Sequence, residues 1–302
     1  MERIRLALDW KPNVNHSGIL AAIHHGWYKE AGIELELIDR ELTQSAPQKV
    51  ESGVADVGLT CIVTLASYRE EKDSHPLKAI ASLMQEDLSS MAVLESSGIE
   101  RPAQLDGKRF AACSVGGRNP TITCLIQNDG GKGDITYIQS DRVNLYETVA
   151  ENKADAIWLF KNWQGAQAEA AGVKLRHFTL GDYGVPYCYP ITMFTSPAFI
   201  AEHSKTLRTF LATTAKGYAW AVVNPEKMVD ILMEQVRDEH KDKAFLEIAF
   251  AATRPYFISS KTGSWGHMEP EKVNAYLKWR AEQGLSNGPL EVDEFVTNEL
   301  LG

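Results

Sequence analysis

Apolar residues recur along the first ninety positions with two alternating periods. IRLAL (4–8) is a short apolar run, and IELELID (33–39) alternates apolar and polar residues, so both are predicted strands. Between them, SGILAAIHHGWYKEAG (17–32) carries Ile19, Leu20, Ile23 and Trp27 at helical spacing and stops at Gly32, which predicts one helix. A helix over 45–52, a strand at ADVGLT (55–60), a helix over 62–71 and a strand at LKAIASLM (77–84) continue the rhythm. Strands that alternate with helices imply a largely parallel sheet covered on both faces.

The rhythm restarts after residue 107. KRFAACSV (108–115), DITYIQS (134–140) and ADAIWLF (154–160) are predicted strands, with helices over 120–127 and 142–153 between them. VESGVADVGL (50–59) and VAENKADAIW (149–158) match each other: a helix end, a turn, then Ala-Asp and an apolar strand. Gly53 and Asn152 stand at the two turns, and both tolerate left-handed backbone. The match suggests two lobes of similar construction. After Tyr189 the pattern yields one more strand, ITMFTS (191–196), and then helices over 198–224, 225–237, 241–251 and 270–284. Those helices need an existing sheet to pack on, so the expected organisation is a discontinuous first lobe, 1–90 with 192–302, and a second lobe, 91–191. Two crossings then act as hinges, with a ligand cleft where the carboxyl ends of the strands meet.

Composition narrows the function. A net charge of −9 and the lack of a basic stripe argue against nucleic acid, whose binding depends on Lys and Arg neutralising phosphates. No apolar run reaches the ~18 residues of a membrane span, so no direct membrane insertion is expected. Met1-Glu2-Arg3 running straight into a strand does not read as a secretory leader. A native start at Met1 implies the cytoplasm; a trimmed mature chain implies a periplasmic or other extracytoplasmic location. Cys61, Cys113, Cys124 and Cys188 are far apart and show no metal-ligand spacing.

The strand exits carry the candidate chemistry. After the first strand come Asp9, Trp10, Asn13 and His16: an acid and a large aromatic beyond what a Pro12-Asn13 turn needs. Thr60 and Cys61 follow ADVGL, either as a tight turn with Thr60 capping the next helix or as small residues that let a ligand approach the backbone. Ser114, Gly116, Gly117, Arg118 and Asn119 precede Pro120, a glycine turn at a helix start that suits an anion or polar group. It contains neither G-K-[ST] nor G-x-G-x-x-G. Trp163 follows the ADAIW strand, and Tyr187, Cys188 and Tyr189 lead into the second crossing. Aromatic faces, one carboxylate and a polar turn suit a small, flat heteroaromatic ligand whose amino group pairs with Asp9.

LALDWKPNVNHSG, GWYKEAGIELEL, ESGVADVGL, DYGVPYCY and GSWGHMEPEKVNAYLKWRAEQGL together resemble the thiamine-pyrimidine precursor family, in the family's order and over nearly the whole chain. The resemblance implies an α/β, two-lobed type II periplasmic-binding-protein fold. One branch holds substrate-binding proteins of ABC transporters for formylated aminopyrimidines, with a permease partner and no cofactor. The other holds pyrimidine phosphate synthases that use pyridoxal phosphate on a lysine, a sacrificial histidine and iron. Here GLTCIVTLAS puts Thr60-Cys61 where that lysine is expected and Val63 near the histidine position, and only Cys188 remains of the synthases' cysteine cluster. The resemblance therefore favours the transporter branch, and with it a non-enzymatic binder. Cys188-Tyr189-Pro190 departs from that branch's Tyr-Tyr-Glu ending, and GSWGHMEPEKV with Trp279 reads as structural packing. A binder of a sulfonate-type anion, held by Gly116, Gly117 and Arg118, is the third reading.

Overall fold

The computed structural model describes residues 1–41, 43–71, 76–112, 120–139, 145–288 and 290–302. In chain order, the first part runs β1 (Glu2–Ala7), α1 (Ser17–His24), α2 (Trp27–Glu30), β2 (Ile33–Ile38), α3 (Ala46–Glu51), β3 (Val57–Thr60), α4 (Ile62–Arg69) and β4 (Lys78–Ser82). The middle runs β5 (Ser89–Leu94), β6 (Arg109–Ala112), α5 (Pro120–Asn128), β7 (Thr136–Gln139), α6 (Leu145–Ala150), β8 (Ala156–Phe160), α7 (Ala166–Ala170) and β9 (Leu175–Thr179). The last part holds β10 (Thr192–Thr195), α8 (Pro197–Val223), α9 (Pro225–Gln235), α10 (Lys243–Thr253), α11 (Pro270–Glu282) and α12 (Val292–Phe295). The chain forms two compact units: Met1–Asp87 with Cys188–Gly302, and Leu88–Tyr187.

Unit 1 is built on a five-stranded sheet in the order β2-β1-β3-β10-β4. β1 pairs in parallel with β2 and β3, while β10 runs antiparallel between β3 and β4. Unit 2 has the order β7-β6-β8-β5-β9, with β5 antiparallel to both β8 and β9. The two sheets thus share one plan: four strands in one direction and an antiparallel strand in the fourth place. Each sheet is mostly parallel, as the sequence predicts, and is made mixed by that one antiparallel strand. The sequence pattern does not predict β5 and β9. SSMAVL is buried from Ser89 to Val93 and lacks period-two alternation, and LRHFT carries two basic residues.

The internal repeat is explicit in the side chains. Arg5 donates its backbone N–H (2.8 Å) and its Nε (3.1 Å) to Oδ2 of Asp56, and Nη1 to the carbonyl of Gly53 (2.7 Å). Arg109 repeats this on Asp155 (2.8 and 3.1 Å) and on the carbonyl of Asn152 (2.8 Å). Gly53 and Asn152 have φ of 71° and 58°. The recurrence of Ala-Asp after a left-handed turn is therefore one device used twice. It fixes where β3 and β8 begin.

The helix predicted over 17–32 is two helices. Gly26 adopts φ 72°, which ends the first and starts the second, and Ile23, expected on the buried stripe, is 37% exposed. α1 packs on α8 at very short range. A Cβ on Gly217 would lie 1.9 Å from the Gly18 carbonyl oxygen, and one on Gly18 would lie 2.1 Å from the Tyr218 ring. Ile4, Leu6, Val57, Leu59 and Phe194 fill the core of unit 1; Ala92, Ala111, Val149, Ile157 and Leu159 fill that of unit 2. Among the described residues, no helix is long and apolar enough to cross a membrane.

Candidate functional site

Strand register gathers the unit 1 candidates at one end of the sheet, where β1 and β3 finish. Leu6 lies opposite Val57 and Ala7 opposite Gly58, so Asp9-Trp10 and Thr60-Cys61 leave parallel neighbours at the same end. β10 runs the other way, and Thr192 lies opposite Thr60 on one side and Ser82 on the other. The residues before β10, Cys188 to Ile191, therefore arrive where β3 and β4 end. Thr192 Oγ1 donates to the Thr60 carbonyl (3.1 Å), and the Leu83 N–H donates to the Ile191 carbonyl (3.0 Å). Gln85, just beyond β4, donates its N–H to the Tyr256 carbonyl (2.8 Å).

Asp9 is oriented by His16. Asn13 caps the short turn Val14–His16: its side-chain oxygen accepts the Asn15 N–H (2.8 Å), and its own N–H donates to His16 Nδ1 (3.2 Å). Nδ1 is thereby an acceptor, which leaves Nε2 to donate to Asp9 Oδ1 at 2.9 Å. His16 is buried, and the Asp9 side chain is 16% exposed. Oδ2 of Asp9 has no hydrogen-bonding partner among the described residues. The half-buried Trp10 lies under the Arg40 guanidinium, whose carbon is 4.5 Å from the ring centroid.

The other candidates differ in placement. Thr60 is buried in β3, and the cap position before α4 falls on Cys61, whose side chain makes no capping hydrogen bond. Cys188 is buried, which pushes its thiol up to about 12 and keeps it in the unreactive form. Tyr189 is fully buried with φ 45°, an unusual backbone for a bulky residue. Its hydroxyl oxygen accepts the Glu269 N–H (2.7 Å), and burial raises it to about 12. Trp163 and Tyr187 belong to unit 2. Trp163 is buried in the π-helical turn Lys161–Gly165, and Tyr187 meets Trp158 edge-on at 6.5 Å. Ser114, Gly116, Gly117, Arg118 and Asn119 lie outside the described residues.

Two residues of unit 1 bear on the site although the sequence singles out neither for it: Gln85 stands in no motif, and Trp265 lies in the GSWGHMEPEKV segment that reads as packing. Gln85 and Trp265 are buried, yet Gln85 Nε2 and Trp265 Nε1 have no hydrogen-bonding partner among the described residues. A lone glutamine after a strand and a tryptophan between glycine and serine carry no pattern that distinguishes them from packing.

A family model described as NMT1/THI5 like matches residues 13–228. The chain belongs to the NMT1/THI5-like family. It is 24% identical over 282 residues to the formylaminopyrimidine-binding protein of Halalkalibacterium halodurans, across 92% of this chain and 84% of that protein. It is also 25% identical over 281 residues to the 4-amino-5-hydroxymethyl-2-methylpyrimidine phosphate synthase of Legionella pneumophila, across 91% of this chain and 86% of that one. The periplasmic aliphatic sulphonate binding protein SsuA of Escherichia coli superimposes with a TM-score of 0.74 at 13% identity, over 98% of this chain and 92% of that chain. The fold is therefore the two-domain α/β fold of type II periplasmic binding proteins, within a thiamine-pyrimidine-related family.

The family's two kinds of member raise the question of pyridoxal phosphate. The exit from β3 carries Thr60 and Cys61, and α4 contains no lysine, so the residues there do not fit a Schiff base. Lys72 and His75, the nearest later candidates, lie outside the described residues. Among the described residues, no three His, Cys, Asp or Glu side chains gather as a metal site.

Proposed function

We propose that this NMT1/THI5-like chain is a non-enzymatic binding protein for a thiamine-related aminopyrimidine. The observation that carries the reading is the Asp9–His16 pair. His16 Nε2 fixes one carboxylate oxygen of Asp9 at 2.9 Å, and the carboxylate keeps partial exposure at the end of the sheet where β1 and β3 finish. A carboxylate held in this way accepts hydrogen bonds from an exocyclic amino group at no cost in its own ordering. Trp10, steadied by Arg40, offers the flat apolar surface that a pyrimidine ring stacks on.

In this reading Trp163 and Tyr187 of unit 2 are further candidate ligand contacts. Ligand binding shifts a hinge equilibrium toward a closed form, and an ABC permease receives the loaded protein. Small-angle scattering with and without ligand reports the closure.

A thermal-shift panel tests the reading: formylaminopyrimidine, 4-amino-5-hydroxymethyl-2-methylpyrimidine, pyridoxal phosphate and an alkanesulfonate. A ligand at a hundred times its Kd stabilises the fold by about 2.7 kcal/mol. A shift with a pyrimidine and none with the other two is the expected result. A shift with pyridoxal phosphate, trapped on a lysine by borohydride, replaces the reading with the synthase. A shift with the sulfonate alone replaces it with an anion binder.

A further inference from the structure

The Asp9 carboxylate supplies only acceptors, and a pyrimidine carries acceptors of its own in its ring nitrogens. A site that holds such a ring needs donors. Trp265 Nε1 and Gln85 Nε2 in unit 1 are buried donors whose position the hydrogen bonds among the described residues leave unexplained.

Trp265 is 3% exposed, and its indole lies parallel to the Tyr218 ring, 4.9 Å away at 11°. Tyr218 is itself fixed, because its hydroxyl donates to the Asn15 carbonyl (2.6 Å) in the loop that also carries Asp9 and His16. Gln85 is 6% exposed, with its backbone tied to the Tyr256 carbonyl. The two residues belong to neighbouring stretches, since Ser82 and Gly266 form a bridge and the Ser82 N–H donates to the Gly266 carbonyl (2.8 Å). Ser82 is the last residue of β4, so this pair of stretches sits at the end of the sheet where β1 and β3 finish. Trp265 Nε1 and Gln85 Nε2 are nonetheless without partners among the described residues.

A buried N–H without an acceptor costs the whole of its lost hydration. Packing alone does not call for it, because phenylalanine or methionine would fill the same space without that cost. A rigid, dry donor is what a binding site needs, since it discriminates strongly against a ligand that lacks the matching acceptor.

We infer that Gln85 and Trp265 form a donor pair that reads the ring nitrogens of the ligand, opposite the acceptor Asp9. The inference rests on the pyrimidine reading above and narrows it: the ligand class is a neutral heteroaromatic that bears an amino donor and at least one acceptor.

The test uses the full chain as wild type, Gln85→Met and Trp265→Phe. Each is titrated calorimetrically with formylaminopyrimidine and with the matching aniline, in which C–H replaces each ring nitrogen. Melting temperatures are measured without ligand. The pyrimidine should bind each variant ~10-fold or more weakly than wild type. The aniline should bind wild type weakly, and the variants should weaken it no further. The ligand-free melting temperatures should hold or rise, because an unpaired buried donor has been removed.

Pyrimidine affinities within twofold of wild type in both variants overturn the inference and leave the proposed function standing. Lower ligand-free melting temperatures, with equal losses for pyrimidine and aniline, mark the residues as structural and also overturn it. A wild-type protein that binds no pyrimidine removes the proposed function, and this inference with it. Because the two variants are independent, failure of one to fold leaves the other to decide.

Discussion

His16 Nε2 donates to Asp9 Oδ1 at 2.9 Å because the Asn13 N–H occupies His16 Nδ1 at 3.2 Å. One backbone N–H thereby selects the tautomer that orients the carboxylate. His16→Ala leaves the buried Asn13 N–H unpaired and should destabilise the protein by about 1–3 kcal/mol. The same change frees Asp9 to rotate, so affinity for a pyrimidine should fall together with stability. Chemical denaturation and calorimetric titration of the variant check both. Unchanged stability would show that the turn does not depend on the imidazole.

The two arginine–aspartate devices should behave as copies. Asp56→Ala and Asp155→Ala each strip a charged acceptor from an arginine and a backbone N–H, and both should lower stability, Asp155→Ala by less because its pair is more exposed. Hydrogen exchange should place the loosening in β1 and β3 for the first, and in β6 and β8 for the second.

Arg109 also holds the Asp155 carboxyl below its ordinary 3.8. A carboxyl depressed in the folded state contributes stability above its unfolded value and loses it as the pH falls through the folded one. Asp155→Asn should therefore flatten the acid limb of the stability curve below about pH 4. An unchanged limb would separate the ion pair from acid unfolding.

Tyr189 combines a left-handed backbone with a hydroxyl anchored on the Glu269 N–H. Tyr189→Phe keeps the ring and removes the acceptor, so a loss of about 1–3 kcal/mol is expected from urea unfolding. Equal stability would mean that ring burial alone holds this turn.

Gly217 should tolerate no side chain. A Cβ there would sit 1.9 Å from a backbone oxygen, which cannot rotate away as a side chain can. Gly217→Ala should force α1 and α8 apart and cost at least ~1–3 kcal/mol. Phe257 and Trp265, both packed on Tyr218, would move with them, so tryptophan fluorescence offers a second readout.

The helices after Tyr189 were legible because proline and glycine punctuate them and their apolar positions recur at helical spacing. The repeated Ala-Asp turn was also legible: a left-handed residue followed by a buried carboxylate leaves a local mark in sequence. β5 and β9 were hidden for different reasons, the first by continuous burial without alternation and the second by polar residues on an edge strand. Antiparallel insertion of β10 is a long-range pairing that no local pattern encodes. In the candidate site, Asp9, Trp10 and His16 stood out because a turn does not need them. Gln85 and Trp265 did not, because an unpaired donor is defined by what surrounds it in space.

In the proposed function Asp9 receives the amino group of a pyrimidine. The direct measurement is a double-mutant cycle by calorimetric titration: wild type and Asp9→Asn, each with formylaminopyrimidine and with its analogue lacking the ring amino group. Asp9→Asn should bind the amino ligand ~10-fold or more weakly than wild type and the analogue almost equally well. Equal affinities of wild type and variant for the amino ligand would contradict it.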